Sequence, residues 1–298
     1  MQKFDTDQKV IKIGDVTIGG QPGEYPTVLM AAIFYAGDKL VARINEAEFD
    51  RDKAKAIIEK AEEKCREVGT PIILDVICAT PEQSRAFITF ALEVSDAPIL
   101  MDGANSEVVF AGLEAAKEMG QLDRMIYNSI METSKDDELK KAVDLGCKNA
   151  VVMLLNQRNP TAKGKITMAR ELVPKAYELG FENLILDLAI LDIVDIGTCA
   201  AAMPQLKEEF GLPCGCSPTH THITRWKKAK QFSAKGQAAA KVSCATMLQV
   251  SGADYFIYDI KQTEVIPAMA MIDAEIAYGA KNWKIRPKSD QHPLYRIF

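Results

Sequence analysis

Eight short apolar runs, seven of them separated from the next by a helix-like segment, constrain this 298-residue chain more than any other feature of it. The runs are Thr27–Phe34, Ile72–Ile77, Ile99–Met101, Met125–Ile130, Ala150–Leu155, Leu184–Leu188, Leu212–Cys216 and Tyr255–Ile260. Asn183-Leu184-Ile185-Leu186-Asp187-Leu188 is representative. It is apolar on every face, as a strand buried on both sides of a parallel sheet must be, and it ends in a carboxylate. Between the runs, helical spacing of apolar residues predicts helices over Asp50–Val68, Pro81–Val94, Ser106–Met119, Asp136–Leu145, Ile166–Leu179 and Ile196–Phe210. Five of these stop at a glycine (Gly69, Gly120, Gly146, Gly180, Gly211), the residue that takes a left-handed cap most readily.

Strand-helix alternation with short links means parallel βα units, and eight of them predict a (β/α)8 TIM barrel. A doubly wound open sheet is the alternative architecture. No Gly-x-Gly-x-x-Gly follows the first strand and no Walker-type Gly-Lys-Ser/Thr occurs, so neither a dinucleotide nor an ATP site of those kinds is indicated. Ahead of the repeats, Lys9–Ile13 and Val16–Ile18 flank Gly14-Asp15 and predict a β-hairpin that lids the amino-terminal mouth. We therefore expect one domain over residues 1–298, with a hairpin and lead-in over 1–26 and a carboxy-terminal tail over 281–298. That tail is expected to pack on the barrel or on a second subunit.

Net charge is −5, which argues against nucleic acid as a partner. No apolar run approaches the ~20 residues needed to span a bilayer, and the N-terminus lacks a signal-peptide core. A cytoplasmic protein is expected. The seven cysteines lie mostly in apolar runs or helical patterns and read as reduced thiols.

In a barrel, the residues at the carboxyl ends of the strands converge on one mouth. Here they are Asp75 and Cys78, Asp102 and Asn105, Asn128 and Ser129, Asn156, Gln157 and Asn159, Asp187 and Asp192, Ser217, His220 and His222, and Asp259. Each alone reads as a cap or a backbone bridge. Together, Asp102, Asn128 and Asp187 suit a ligand rich in N–H donors. A carboxylate accepts two parallel N–H bonds and an amide both donates and accepts, a set that fits a pterin ring.

Gly19-Gly20-Gln21-Pro22-Gly23-Glu24-Tyr25-Pro26-Thr27-Val28-Leu29, followed by Ile33-Phe34-Tyr35, resembles the opening of the H subunit of tetrahydromethanopterin S-methyltransferase. Tyr127-Asn128-Ser129-Ile130 also resembles that family, and the resemblance covers nearly the whole chain. It implies a pterin-binding methyltransferase barrel. Stand-alone bacterial relatives move methyl between a corrinoid carried by a partner protein and N5 of tetrahydrofolate. That transfer is the expected function, with tetrahydromethanopterin as the alternative pterin. The resemblance implies that Asp75, Asp102, Asn128 and Asp187 hold the pterin. The wider group often has an asparagine after the seventh strand; this chain has Ser217-Pro218-Thr219-His220 there, so Ser217 and His220 join the expected pterin-binding set. Asp75, Asn105 and Asn128 are the candidates for assisting at N5. No Asp-x-His-x-x-Gly corrinoid motif is present, so a corrinoid-binding protein is the expected partner, with Arg225-Trp226-Lys227-Lys228-Ala229-Lys230 as a candidate for docking it or for meeting a folate polyglutamate tail. A homodimer is expected, because symmetric pairs are the commonest assemblies.

Two other readings compete. Cys214-Gly215-Cys216 with His220 and His222 supplies a zinc-like donor set if both thiols point into the barrel, giving a zinc-thiolate methyltransferase. The main expectation involves no metal. A scaffold subunit with a vestigial pocket is the non-enzymatic alternative.

Overall fold

In the computed structural model, residues 1–41, 43, 45–190, 195–218 and 233–297 are described. The chain opens with the antiparallel hairpin β1 (Val10–Ile13) and β2 (Val16–Gly19). The repeating units follow as β3 (Val28–Ile33), α1 (Arg51–Val68), β4 (Ile72–Cys78), α2 (Pro81–Val94), β5 (Ile99–Gly103), α3 (Ser106–Glu118), β6 (Met125–Ile130), α4 (Asp136–Leu145) and β7 (Asn149–Met153). They continue as α5 (Ala162–Glu178), β8 (Asn183–Asp187), α6 (Asp195–Phe210), β9 (Cys214–Cys216), α7 (Ala234–Val250), β10 (Tyr255–Asp259) and α8 (Val265–Ala280). A short helix α9 (Pro293–Arg296) ends the chain. Strands β3 to β10 pair in parallel and in sequence order, and β10 closes on β3. The eight-stranded barrel is therefore present and the open-sheet alternative is excluded.

Local chemistry explains the borders. Asp50 accepts the Lys53 N–H at the start of α1, and Thr80 accepts that of Gln83 at the start of α2. Gly69 closes α1 at φ +78°, where a side chain would also meet the Gln291 carbonyl oxygen. Helix α5 starts four residues before the expected Ile166, because Thr161 caps it by accepting the Gly164 N–H. Apolar periodicity cannot register that first polar turn. Helices α7 and α8 carry weak patterns. The first is rich in alanine and the second is apolar nearly throughout.

The core has two parts. Outside the barrel, alternate strand residues pack against the helices. Inside it, Val28, Met30, Ile73, Leu100, Ile126, Val151, Ile185 and Tyr255 form an apolar floor, joined by Ile11, Ile13, Val16 and Ile18 of the hairpin. The hairpin thus plugs the amino-terminal mouth with its own apolar side chains, as a lid must. The tail returns to the same end of the barrel, where Lys288 N–H donates to the Glu24 carbonyl and Arg296 to that of Arg66. No described helix is long and apolar enough to cross a membrane.

One position in the lining has no room to spare. On β9, Gly215 faces the barrel interior, and a Cβ there would lie 2.4 Å from both the Tyr255 ring and the Tyr255 carbonyl oxygen. Gly215→Ala is expected to cost about 1–3 kcal/mol of stability, measured by denaturant unfolding.

Candidate functional site

Side chains alternate along a strand, so residues two beyond the apolar floor also face the barrel interior. Those residues are Asp75 after Ile73, Asp102 after Leu100, Asn128 after Ile126, Met153 after Val151, and Asp187 after Ile185. A polar layer thus lies directly on the floor, at the carboxyl ends of the strands. Within it Asp102 pairs in register with Asn128, Asp75 with Ala32, and Asp187 with both Met153 and Gly215.

The three carboxyl groups sense one another. Asp75 is 2% exposed, and its Oδ1 has no hydrogen-bond partner among the described residues. Burial, then the charges of Asp102 and Asp187, hold its carboxyl well above the usual carboxylate range. Burial and then Asp187 push Asp102 up to about 6. Asp187 is also raised by burial, but three groups oppose the shift: the Ala189 N–H, the Tyr255 hydroxyl and Lys165. The Ala189 N–H donates to Asp187 Oδ1 at 2.6 Å, and the Tyr255 hydroxyl lies 3.2 Å from Oδ2. The result is a graded set: Asp75 raised with nothing opposing the shift, Asp102 raised to about 6, and Asp187 raised but with its charge supported by donors.

Two clefts open from Asp102 and Ala104. One, of about 610 Å³, runs under the β3–α1 loop past Phe34, Tyr35, Val41 and Arg43. The other, of about 310 Å³, is lined by Asn105, Tyr127, Asn128, Ser129 and Met153. Both lie in the size range of small-molecule sites.

The remaining sequence candidates fare differently. Asn105 lines the second cleft, but its Oδ1 accepts the Val108 N–H and caps α3. Ser217 sits past the end of β9 with its hydroxyl 3.4 Å from the Ile257 carbonyl. Asp259 accepts the Lys261 N–H and a Gln262 side-chain N–H, which organises its own turn. Asn156 likewise closes its loop by accepting the Asn159 N–H. Asp192, His220, His222 and Arg225–Lys230 lie outside the described residues.

The orientation expected for the cysteine pair is corrected. Cys214 and Cys216 face outward into the helix layer, and Gly215 between them takes the interior position, against Tyr255. The two thiols do share a face, but it is the outer one, and a strand apolar on both sides carries no alternation to say which face is which. Burial drives both thiols well above their ordinary value, and the Cys216 thiol is hydrogen-bonded to that of Cys199. Neither is a thiolate facing the barrel mouth, as a pocket zinc would require. Among the described residues no cluster of three His, Cys, Asp or Glu is placed to hold a metal.

Two members of the site escape sequence reasoning. Tyr255 and Lys165 are both buried beside Asp187, the tyrosine from the floor of the barrel and the lysine from α5. Tyr255 occupies a strand start, where a tyrosine reads as ordinary core. Lys165 precedes the expected start of its helix.

The sequence profile of the family described as "Tetrahydromethanopterin S-methyltransferase MtrH subunit" matches residues 6–288. The chain belongs to this family. Relatives include the H subunit of tetrahydromethanopterin S-methyltransferase from Methanothermobacter thermautotrophicus, 32% identical over 311 residues and covering 100% of both chains. The protein of the same name from Methanosarcina acetivorans is 30% identical over 317 residues, again covering 100% of both. Among solved structures, dihydropteroate synthase from Yersinia pestis superposes with a TM-score of 0.64 at 14% identity, covering 89% of this chain and 98% of that one. Dihydropteroate synthase from Stenotrophomonas maltophilia gives 0.65 at 15% identity, covering 90% and 98%. These two likenesses concern the barrel fold alone.

Proposed function

We propose that this methyltransferase-family barrel moves a methyl group between N5 of a reduced pterin and a corrinoid carried by a partner protein. Tetrahydrofolate is the pterin we favour, on the resemblance to stand-alone bacterial relatives. Tetrahydromethanopterin is the second reading, favoured by the names of the relatives that align along the whole chain. The observation that carries the proposal is the polar layer of Asp75, Asp102, Asn128 and Asp187 laid over an apolar floor.

In this reading Asp187 and Asp102 accept ring N–H donors, and Asn128, in register with Asp102, serves the ring carbonyl or a ring nitrogen. Burial and the neighbouring carboxylates hold the Asp75 carboxyl well above the usual carboxylate range, which favours the protonated form that a proton donor needs. Methylated N5 departs well only when protonated, and Asp75 would supply that proton as the methyl group leaves. In the reverse direction Asp75 takes it back. Among the described residues, Asn105 and Ser217 each have one polar function engaged within the protein. There Asn105 keeps its amide N–H groups for the ligand, whereas the Ser217 contact is long and leaves its oxygen able to accept. The corrinoid presented by the partner supplies the methyl-accepting or methyl-donating centre, and this chain's residues hold the pterin against it. We also propose a symmetric homodimer, tested by light scattering at micromolar concentration.

Because Asp102 must be ionised to accept N–H donors, pterin affinity is expected to fall as pH drops through about 6 and to level off above it. Titrations from pH 5 to 8 check this, and Asp102→Asn should flatten the profile. Asp75→Asn should lower methyl transfer by about 10²-fold or more while leaving pterin affinity within a few-fold. The decisive assay follows methyl transfer from methylcobalamin to each pterin. Activity with either supports the enzyme and names its substrate. No activity with either, in protein that binds neither, contradicts the proposal.

A further inference from the structure

Lys165 has no role in the reading above, and its placement is unusual. It is 3% exposed and sits in the first turns of α5, where the helix dipole disfavours a cation. No acidic residue in that first turn offsets it. Nothing on its own helix explains why an ammonium group should be buried there.

The groups it meets do explain it. Its Nζ donates to the carbonyl oxygens of Leu188 and Ala189, the latter at 3.0 Å. Those two residues follow Asp187 directly, and Ala189 takes a positive φ of 46° that a side-chain-bearing residue adopts rarely. In that bend the Ala189 N–H turns back onto Asp187 Oδ1 at 2.6 Å. The lysine thus holds the peptide units whose N–H holds the carboxylate. Tyr255 approaches the other oxygen, Oδ2. Among the described residues each Asp187 oxygen then carries one contact and keeps a lone pair for an incoming ligand.

From this clasp we infer that Lys165 is a positioning residue for Asp187, fixing its direction through the Leu188-Ala189 turn and sustaining its negative charge inside the pocket. The inference rests on the reading of Asp187 as a ligand-holding carboxylate. The charge balance points the same way. Around Asp187 the described titratable groups are Asp75 on β4, Asp102 on β5, Cys216 on β9, Cys199 on α6 and Tyr255 on β10. None of them is a cation. Among the described residues Lys165 is the cation that favours the charged form of Asp187, against burial and the neighbouring carboxyl groups of Asp75 and Asp102.

The test reads the Asp187 carboxyl directly in ligand-free protein. Carbon-13 NMR of aspartate-labelled chain is followed across pH 3–9, with Asp187→Asn identifying the resonance. Lys165→Met removes the charge at similar volume. Lys165→Gln removes the charge but keeps an N–H donor for the carbonyls, and it stands in if the methionine variant does not fold. Without the cation the carboxylate is less favoured, so the Asp187 midpoint is expected to rise by one pH unit or more in either variant. Lys165→Arg, which keeps the charge, is expected to stay near the wild-type midpoint. Pterin binding by Lys165→Gln should then be weakened tenfold or more near neutrality and recover as pH rises. A merely structural role would give a loss that does not depend on pH. An unmoved midpoint in a folded neutral variant, or an arginine variant that shifts as far as the neutral ones, overturns the inference. Failure of the wild-type protein to bind any pterin would sink the proposed function while leaving the NMR result to decide the role of Lys165.

Discussion

Asp187→Ala is expected to weaken binding of a reduced pterin by about 3 kcal/mol, on the order of a hundredfold in Kd, measured by anaerobic calorimetry. The magnitude follows from two charge-assisted bonds lost together, each of about 1.5–3 kcal/mol. The carboxylate is 5% exposed, so water does not easily replace it against ligand N–H groups. The substitution also leaves the Ala189 N–H and the Tyr255 hydroxyl without their acceptor, so the variant should lose stability as well. Asp187→Asn separates the two effects. It keeps the shape and one acceptor oxygen but presents an N–H to the ring edge, so it should fold nearly as well and bind nearly as poorly. Asn128→Ala should cost about 1 kcal/mol of affinity, because an amide forms neutral bonds. Unchanged affinity in both Asp187 variants would remove that residue from the site.

The largest effect on stability is expected away from the mouth. Lys207 of α6 is 1% exposed and donates to both oxygens of Asp254 at 2.6 and 2.7 Å, just before β10. Asp254 also accepts the Cys214 N–H at 2.8 Å, so the pair ties α6, β9 and the start of β10 together. Burial raises the Asp254 carboxyl, and Lys207 draws it back toward its charged form. Lys207→Met strands that carboxylate in the core and should cost about 3–5 kcal/mol, read by urea unfolding. Adding Asp254→Asn removes the stranded charge while keeping an acceptor for Cys214, and should recover much of the loss. A double variant no more stable than the single one would show that the ion pair is not what joins these elements.

The barrel was legible because its signals are local and repeated. Apolar runs, capping glycines and Thr, Asp or Pro at helix starts each leave a mark within a few residues. The polar layer was legible for a related reason: a carboxylate ending a doubly buried strand is costly unless it faces a pocket. What escaped depends on contacts distant in sequence. Tyr255 lies 68 residues from Asp187, and Lys165 lies 24 from Ala189. The face presented by Cys214 and Cys216 was hidden because nothing polar marks either side of β9. Asn105 shows the converse limit, since a cap and a ligand-binding amide look alike in sequence. Whether the ligand is a folate or a methanopterin is not written in the strand-end residues, which serve the donor and acceptor edge that the two pterins share.

The central claim is that the strand-end carboxylates hold a reduced pterin. Calorimetric titration of tetrahydrofolate and of tetrahydromethanopterin into chelator-treated protein, without oxygen, tests it most directly. The account predicts saturable one-to-one binding of at least one of them without added metal, lost by about a hundredfold in Asp187→Asn. No binding of either pterin to folded wild-type protein, or equal binding by wild type and Asp187→Asn, would contradict it.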